Sequence, residues 1–336
     1  MNVHTDQRPP GAGRRMQGRV VGHPKIIPKP NNHWIHAVYC RSKQVCHVRS
    51  GIVDLLRVPP PQKSSRRTAQ SAPRKRLEIG GSDPLFNRTV EKAVAILEAF
   101  GGEKAALNLA EIGQAAGMTK SSAQRCTHTL ERMGYLRRDP TLKRWVLTAR
   151  SLGIAHAYLS GHDLMEQATT HLIDLNQACG ESVSLSEPDG TDMVYIARFP
   201  SHKRFFIHMP VGRRLPMYCS GAGRAYLSTL PRKDVQRILH ASTLRSYTPM
   251  TLTEPKRILR EVDAAREAGY AWAAQEYYRG DLTIAAPVYA ADGRPVAAIN
   301  ISAPTSRWTL DELRVRFSSV LLETARAASS SLATPA

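Results

Sequence analysis

Acidic side chains are scarce in this chain, with 28 Asp/Glu against 47 Lys/Arg and a formal charge of +19. Its five cysteines (Cys40, Cys46, Cys126, Cys179, Cys219) are odd in number and scattered, which excludes a disulfide framework and points to a reducing, cytoplasmic setting. No apolar run approaches the roughly 18 residues that a membrane helix needs, so no membrane association is expected. The N-terminus carries Arg and Lys but no compact apolar stretch followed by a cleavage site, which reads against a secretory signal. Zinc-ligand spacing, a Walker-type phosphate loop and a Ser-His-Asp ordering are also missing. Hence no metal, cofactor or catalytic residue is assigned.

The basic excess is uneven. Residues 1–84 hold 16 Lys/Arg and 4 Asp/Glu, a difference of +12, which leaves +7 for the other 252 of the 336 residues. Proline-rich pieces alternate there with Ser/Arg runs, a composition that cannot bury a core and reads as a disordered basic tail. Such a tail is either a nonspecific DNA-attracting arm or sequence upstream of the true start codon. His33, His36, Cys40, Cys46 and His47 crowd within it, but their spacing fits no familiar zinc pattern. The remaining length suits two domains.

Residues 119–148, TKSSAQRCTHTLERMGYLRRDPTLKRWVLT, organise the first of them. Just upstream, Asn108 and Glu111 have capping-box spacing for a helix that stops at Gly117. Thr119 can cap a second helix ending at Met133-Gly134. Two short helices joined by a Gly-containing turn form the helix-turn-helix pattern. Ala123, Cys126, Leu130 and Met133 recur at helical spacing and are expected inward. Lys120, Ser121, Ser122, Gln124, Arg125 and His128 are then left outward, as short, amide or cationic groups that meet base edges and phosphates. An ordinary solvated helix face would look similar. The hairpin that follows tips the balance: Arg137, Arg138, Lys143 and Arg144 flank an Asp139-Pro140 turn, as a wing against phosphates requires. Upstream, Val90, Ala93, Val94, Leu97 and Phe100 form a stripe expected to cover this core.

Beyond the wing, residues 151–160 read as a linker helix packed against a second copy of itself. Asp163 and Glu166 open another helix, with Met165, Ala168, Leu172 and Leu175 on one face, ending at Cys179-Gly180. Strands are expected at 183–185, 193–199, 205–209, 270–274, 282–289 and 295–302, with Asp189-Gly190 and Asp292-Gly293 as turns. Helices fall at 220–230, at 231–241 and after a Thr253 cap, and Thr309 with Glu312 starts the last one. Grouped helices between consecutive strands indicate an α+β domain built on an antiparallel sheet.

Five stretches carry a family resemblance: TVEKAVAIL at 89–97, MTKSS at 118–122, LERMGYL at 130–136, GRRLPMYCSGAGRAYLS at 212–228, and AAPV at 285–288 through AAINIS at 297–302. In that order and spacing, residues 86–328 resemble an IclR-family transcriptional regulator. The resemblance implies a winged helix-turn-helix domain over 85–148, a linker helix over 149–162 and a GAF-like effector domain over 163–330. It further implies homodimers or tetramers on pseudopalindromic double-stranded DNA operators, switched by a small organic acid, with RNA polymerase as a compatible partner. Whether such a regulator represses or activates is left open. Gln275-Glu276 and the Asn300–Ser302 segment look closest to regulators of protocatechuate and 4-hydroxybenzoate pathways. Many members carry Asp-Asp-Glu-Glu where this chain has Ala273-Ala-Gln-Glu276, Cys at the Thr283 position and Ser at the Asn300 position. These departures favour an aromatic or ring-derived acid.

Ser220-Gly221-Ala222-Gly223 precedes a helix, so backbone N–H groups and the helix dipole are offered to an anion, and the glycines admit it closely. Turn-and-cap geometry alone would explain the same glycines. The resemblance places Gly221 and Ala222 at the effector pocket, with Ala273, Thr283, Asn300 and Ser302 on facing strands. Leu215 and Met217 would supply apolar wall. Two other functions remain open here. One is a thiol-dependent enzyme on a GAF-like domain using Cys179 and Cys219, the latter beside a helix start that would lower its pKa. The other is a nonspecific nucleoid-type binder resting on the tail.

Overall fold

The computed structural model describes residues 83–101, 104–201, 203 and 209–332. The expected tail, apart from its last two residues, lies outside these, as do the His/Cys group within it and all but the last residue of the strand expected at 205–209.

Three helices and a two-stranded hairpin come first: α1 (Arg88–Ala99), α2 (Leu109–Ala115), α3 (Lys120–Arg132), β1 (Leu136–Arg138) and β2 (Trp145–Leu147). The capping box forms as spaced, with Glu111 N donating to Asn108 Oδ1 and Asn108 N donating to Glu111 Oε2, both at 2.9 Å. Thr119 caps α3 through Ser122 N. Ile96, Phe100, Leu107, Ile112, Ala123, Leu130 and Leu136 close the core. The α1 stripe differs from expectation. Ile96 is buried, while Val90 and Val94 are 58% and 48% exposed, so this helix turns an apolar strip outward.

The linker helix α4 (Ser151–Ser160) buries no side chain, and Leu152 and Ile154 are 68% and 61% exposed. Next come α5 (Asp163–Cys179), β3 (Ser182–Asp189), β4 (Asp192–Phe199), β5 (Arg214–Pro216), a 3₁₀ turn (Met217–Cys219) and α6 (Gly221–Ser228). They are followed by α7 (Arg232–Ala241), α8 (Pro255–Ala268), β6 (Ala271–Ala274), β7 (Asp281–Tyr289), β8 (Pro295–Pro304) and α9 (Leu310–Leu332). The six strands make one antiparallel sheet ordered β5-β4-β3-β8-β7-β6.

Strand alternation sends Val183, Leu185, Ile284, Ile299 and Ile301 to one face, against α5 and α9. Met193, Tyr195, Ala285 and Ala298 go to the other, where α6 and α8 pack. This is the expected α+β architecture with helices on both faces. Thr253 is not the cap of α8: Glu254 holds that position and Pro255 starts the helix, where its missing N–H costs nothing. The short β5 escaped the sequence pattern because three residues, one of them proline, show no alternation.

Candidate functional site

The outward face of α3 carries Lys120, Ser121, Gln124, Arg125 and His128, all exposed. Ser122 does not join them. It is 9% exposed, because the first turn of α3 lies close against α2. Gly113 allows that approach: a Cβ there would sit 3.1 Å from Met118 O and 3.8 Å from Ala123 Cβ. Thr127, not Met133, completes the inward stripe with Ala123 and Leu130; Thr127 is fully buried and Met133 is 52% exposed. A threonine on an apolar stripe was invisible to a reading by polarity.

In the wing, Asp139 Oδ1 accepts from Thr141 N and Leu142 N at 2.9 and 2.8 Å, closing the expected turn. Lys143 is exposed at φ 50° and Arg137 is exposed beside it. Arg138 lies over the Trp145 ring at 5.2 Å. Arg144 departs from expectation, since its guanidinium is spent on Glu111 Oε2 at 2.7 Å and Ala106 O at 3.1 Å. It ties wing to α2 rather than reaching outward. Lys104 Nζ takes the other oxygen of Glu111 at 2.7 Å. The Asn108 N–H, then Lys104 and Arg144, hold the Glu111 carboxyl down at about 2.

The second domain holds a cavity with about 350 Å³ of atom-free space, its mouth included, at the start of α6. Leu215, Gly221, Ala222, Ala273 and Thr283, five of the eight positions named for the effector pocket, line it. Met217, Asn300 and Ser302 do not. Met217 is buried under α6, whose Gly223 packs so tightly that a Cβ would fall 2.2 Å from Met217 Cα. Asn300 is fully buried on β8, which α6 covers, and its amide donates to Ser302 Oγ at 3.0 Å. At Gly221 a Cβ would meet Thr283 Cβ at 3.2 Å, so helix start and strand nearly touch. The N–H groups of Gly221 and Ala222, opening the helix, have no intrahelical acceptor, whereas Ser220 Oγ accepts from Gly223 N at 3.2 Å.

Sequence reasoning missed the acidic, amide and aromatic part of this wall: Tyr195, Gln275, Glu276, Tyr277 and Asp281. The available signal was Asp281 itself, a charge two positions before Thr283 and so on the same strand face. Burial raises its carboxyl to about 7, with Arg198 pulling the other way. Glu276 is buried and bound to Arg224. Cys219 is fully buried and Cys179 nearly so, and burial raises both thiols above the ordinary cysteine range, the opposite of the lowering expected beside a helix start.

Family models match both domains: the IclR helix-turn-helix domain over residues 89–140 and the bacterial transcriptional regulator IclR C-terminal domain over residues 156–330. The chain belongs to the IclR family. Among relatives, it is 31% identical over 257 residues to the Pca regulon regulatory protein of Pseudomonas putida, covering 76% of this chain and 88% of that one. A crystal structure of a transcriptional regulator from Rhodococcus sp. RHA1 matches at 31% identity and TM-score 0.62, over 74% of this chain and 99% of that chain. An IclR homologue from Microbacterium hydrocarbonoxydans, crystallised with 4-hydroxybenzoate, shares the fold at 23% identity and TM-score 0.59, over 73% of this chain and 98% of that one.

As an IclR-family member the chain is a DNA-binding transcriptional regulator with a C-terminal effector domain, and not a thiol enzyme. Among the described residues no helix is long and apolar enough to cross a membrane.

Proposed function

We propose that this regulator controls a catabolic operon by placing α3 in the major groove of a pseudopalindromic operator and releasing or tightening it when a small aromatic or ring-derived acid enters the α6 cavity. The observation that carries this is the cavity itself. Helix-start N–H groups at Gly221 and Ala222 suit a carboxylate, while Leu215, Tyr195 and Tyr277 give the walls an apolar, ring-accommodating character. The relative from Microbacterium hydrocarbonoxydans, crystallised with 4-hydroxybenzoate, supports a ring-bearing acid, as does the Pca regulon regulator from Pseudomonas putida.

On the DNA side, Lys120, Ser121, Gln124, Arg125 and His128 would meet bases and phosphates, and Lys143 of the wing would meet the backbone. Exposed Val90 and Val94 on α1, with Leu152, Ile154 and Tyr158 on α4, offer apolar surface for a second copy, so a homodimer, or a tetramer built as a dimer of dimers, is the assembly. RNA polymerase is a partner if the regulator activates.

The test is fluorescence anisotropy of the full chain with DNA from upstream of its own gene, with and without a panel of aromatic acids. Discrimination of about 1000-fold over random DNA is expected, within the range of specific binders. Equal affinity for random DNA would reduce the protein to a nonspecific binder.

A further inference from the structure

Asp281 is the first residue of β7 and lies in the cavity wall. Its backbone is fixed on both sides, the carbonyl accepting from Gln275 N at 2.7 Å and the N–H donating to Tyr278 O at 3.3 Å. Its carboxylate has a long contact from Thr283 Oγ1, at 3.5 Å. Two oxygens offer about four lone-pair sites, so most of this acceptor capacity is left for something entering the cavity. Glu276, the other carboxylate of the wall, is already satisfied. Arg224 reaches both its oxygens at 2.6 and 2.7 Å, and Leu252 N adds a third bond at 3.1 Å.

Charge sharpens the point. Thr283 packs on Gly221, so the span between Asp281 and the start of α6 is short. An acid seated on the α6 N–H groups brings a second carboxylate into that span. Two carboxylates without a proton between them repel. A ligand hydrogen aimed at Asp281 relieves this; a ligand without one sets a second carboxylate beside an Asp281 charge that Arg198 offsets only in part.

We infer that Asp281 is a specificity-determining residue: it accepts a hydroxyl or amine hydrogen of the ligand while the ligand's carboxylate sits on Gly221 and Ala222. The cavity therefore takes acids that carry a second, hydrogen-donating group and turns away plain acids. This rests on the proposal that the cavity is an acid effector site. The raised proton affinity of Asp281 agrees with it, since burial has already made the bare carboxylate costly.

The test is calorimetric titration of the full chain with benzoate, its three monohydroxy isomers, 4-aminobenzoate and the matching methoxybenzoates. At least one hydroxy- or amino-acid is expected to bind about 100-fold more tightly than benzoate, because a site built to accept a hydrogen rejects the analogue lacking it. The methoxy compounds, which keep the oxygen and lose the hydrogen, should rank with benzoate. In Asp281→Ala and Asp281→Leu, which remove the acceptor along with the charge, the preference should collapse to within about 5-fold, largely by a gain in benzoate affinity. Each ratio is taken within one protein, so a reduced folded fraction cancels. Equal binding of benzoate and every donor-bearing acid, methoxy binding that matches hydroxy binding, or an undiminished preference in both variants overturns the role of Asp281 alone. Failure of every compound to bind wild type that still binds DNA overturns the acid-site proposal as well.

Discussion

Arg224 and Glu276 are joined by a two-pronged ion pair, Nη1 donating to Oε1 at 2.6 Å and Nη2 to Oε2 at 2.7 Å, with the residues 1% and 6% exposed. Arg224 belongs to α6 and Glu276 to the turn between β6 and β7, so the pair ties together two walls of the cavity at the start of α6. Removing one partner strands the other charge in the interior. Arg224→Met should therefore lower unfolding free energy by about 3–5 kcal/mol, and Arg224→Met with Glu276→Leu should regain a large part of it. Urea denaturation of the two variants checks both signs. A single variant as stable as wild type would mean that water reaches Glu276.

Gly223 and Gly221 predict different penalties for the same small change. A Cβ on Gly223 would fall 2.2 Å from Met217 Cα and 2.4 Å from Met217 O, backbone atoms that cannot step aside. At Gly221 the nearest atom is Thr283 Cβ at 3.2 Å, a side chain that can yield a little. Gly223→Ala is expected to destabilise by about 3 kcal/mol, the upper end for overpacking, and Gly221→Ala by about 1 kcal/mol. The milder variant should still weaken effector binding, since the added methyl lies at the cavity floor. Thermal unfolding with and without ligand separates the two effects.

These contrasts show what one sequence could and could not disclose. Asn108 and Glu111, Thr309 and Glu312, and the Asp189-Gly190 turn are local devices whose geometry follows from spacing, and all form as spaced. The pattern also gave five of the six sheet strands, all but β5, and the Gly221 face of the cavity. It failed where the deciding neighbour is distant in the chain. Arg144 looked like a phosphate contact until Glu111, 33 residues earlier, was seen to hold it. Asn300 and Ser302 were placed at the cavity by the family resemblance, and in the fold Asn300 is fully buried on a strand that α6 covers. Val90 and Val94 read as core because periodicity marks an apolar face without saying which partner covers it.

Glu111 makes the winged domain sensitive to acid. Its carboxylate caps α2 through Asn108 N and receives Lys104 and Arg144. These contacts depress its pKa in the fold to about 2 from an ordinary 4.5. A depressed carboxyl contributes stability that is complete above its unfolded pKa and drains away as pH falls from about 4.5 to about 2. Protection factors over residues 136–147, taken against intrinsic exchange at each pH, should therefore fall through that window in wild type. In Glu111→Gln protection should already be low at pH 7 and change little on acidification. Parallel acid profiles would show that Glu111 does not anchor the wing.

The three cations Arg125, Lys143 and Arg144 separate three roles. Arg125 is exposed on the outer face of α3, so Arg125→Ala should cost about 1–3 kcal/mol on operator DNA and flatten the distinction from random DNA. Lys143, exposed on the wing, should lose affinity evenly across sequences and reduce the salt slope by about one. Arg144→Ala should loosen the wing, detectable as faster exchange in β1 and β2, with the salt slope unchanged. Gel shifts at three salt concentrations with operator and random duplexes read all three. A salt slope that falls for Arg144→Ala as for Lys143→Ala would place Arg144 on phosphate after all.

Glu187 couples the linker to the effector domain. Tyr158, near the end of α4, donates its hydroxyl to one Glu187 oxygen, and His162 Nε2 meets the other at 2.9 Å, the two rings lying edge to face at 5.0 Å. Glu187 sits two residues before Asp189, which Arg214 holds at 2.5 Å while also binding Asp192 at 3.0 Å. The next residue after Arg214 is Leu215, in the cavity wall. A ligand that shifts Leu215 thus acts on a route made of backbone steps (Leu215 to Arg214, Asp189 to Glu187), the Arg214–Asp189 ion pair and the Glu187 contacts to Tyr158 and His162, ending at the helix that leads to the DNA-binding domain. Spatial continuity alone is no proof of coupling; a change in ligand-dependent DNA affinity is. Glu187→Gln keeps the shape but weakens both linker contacts. It should leave ligand affinity within about 2-fold and cut the ligand-induced change in operator affinity by roughly 1 kcal/mol, about 5-fold, typical of a residue on such a route. Tyr158→Phe should have a smaller effect of the same sign, and the two together should fall short of additivity because they share one contact. An unaltered ligand response in both variants would mean that the signal leaves the effector domain by another path.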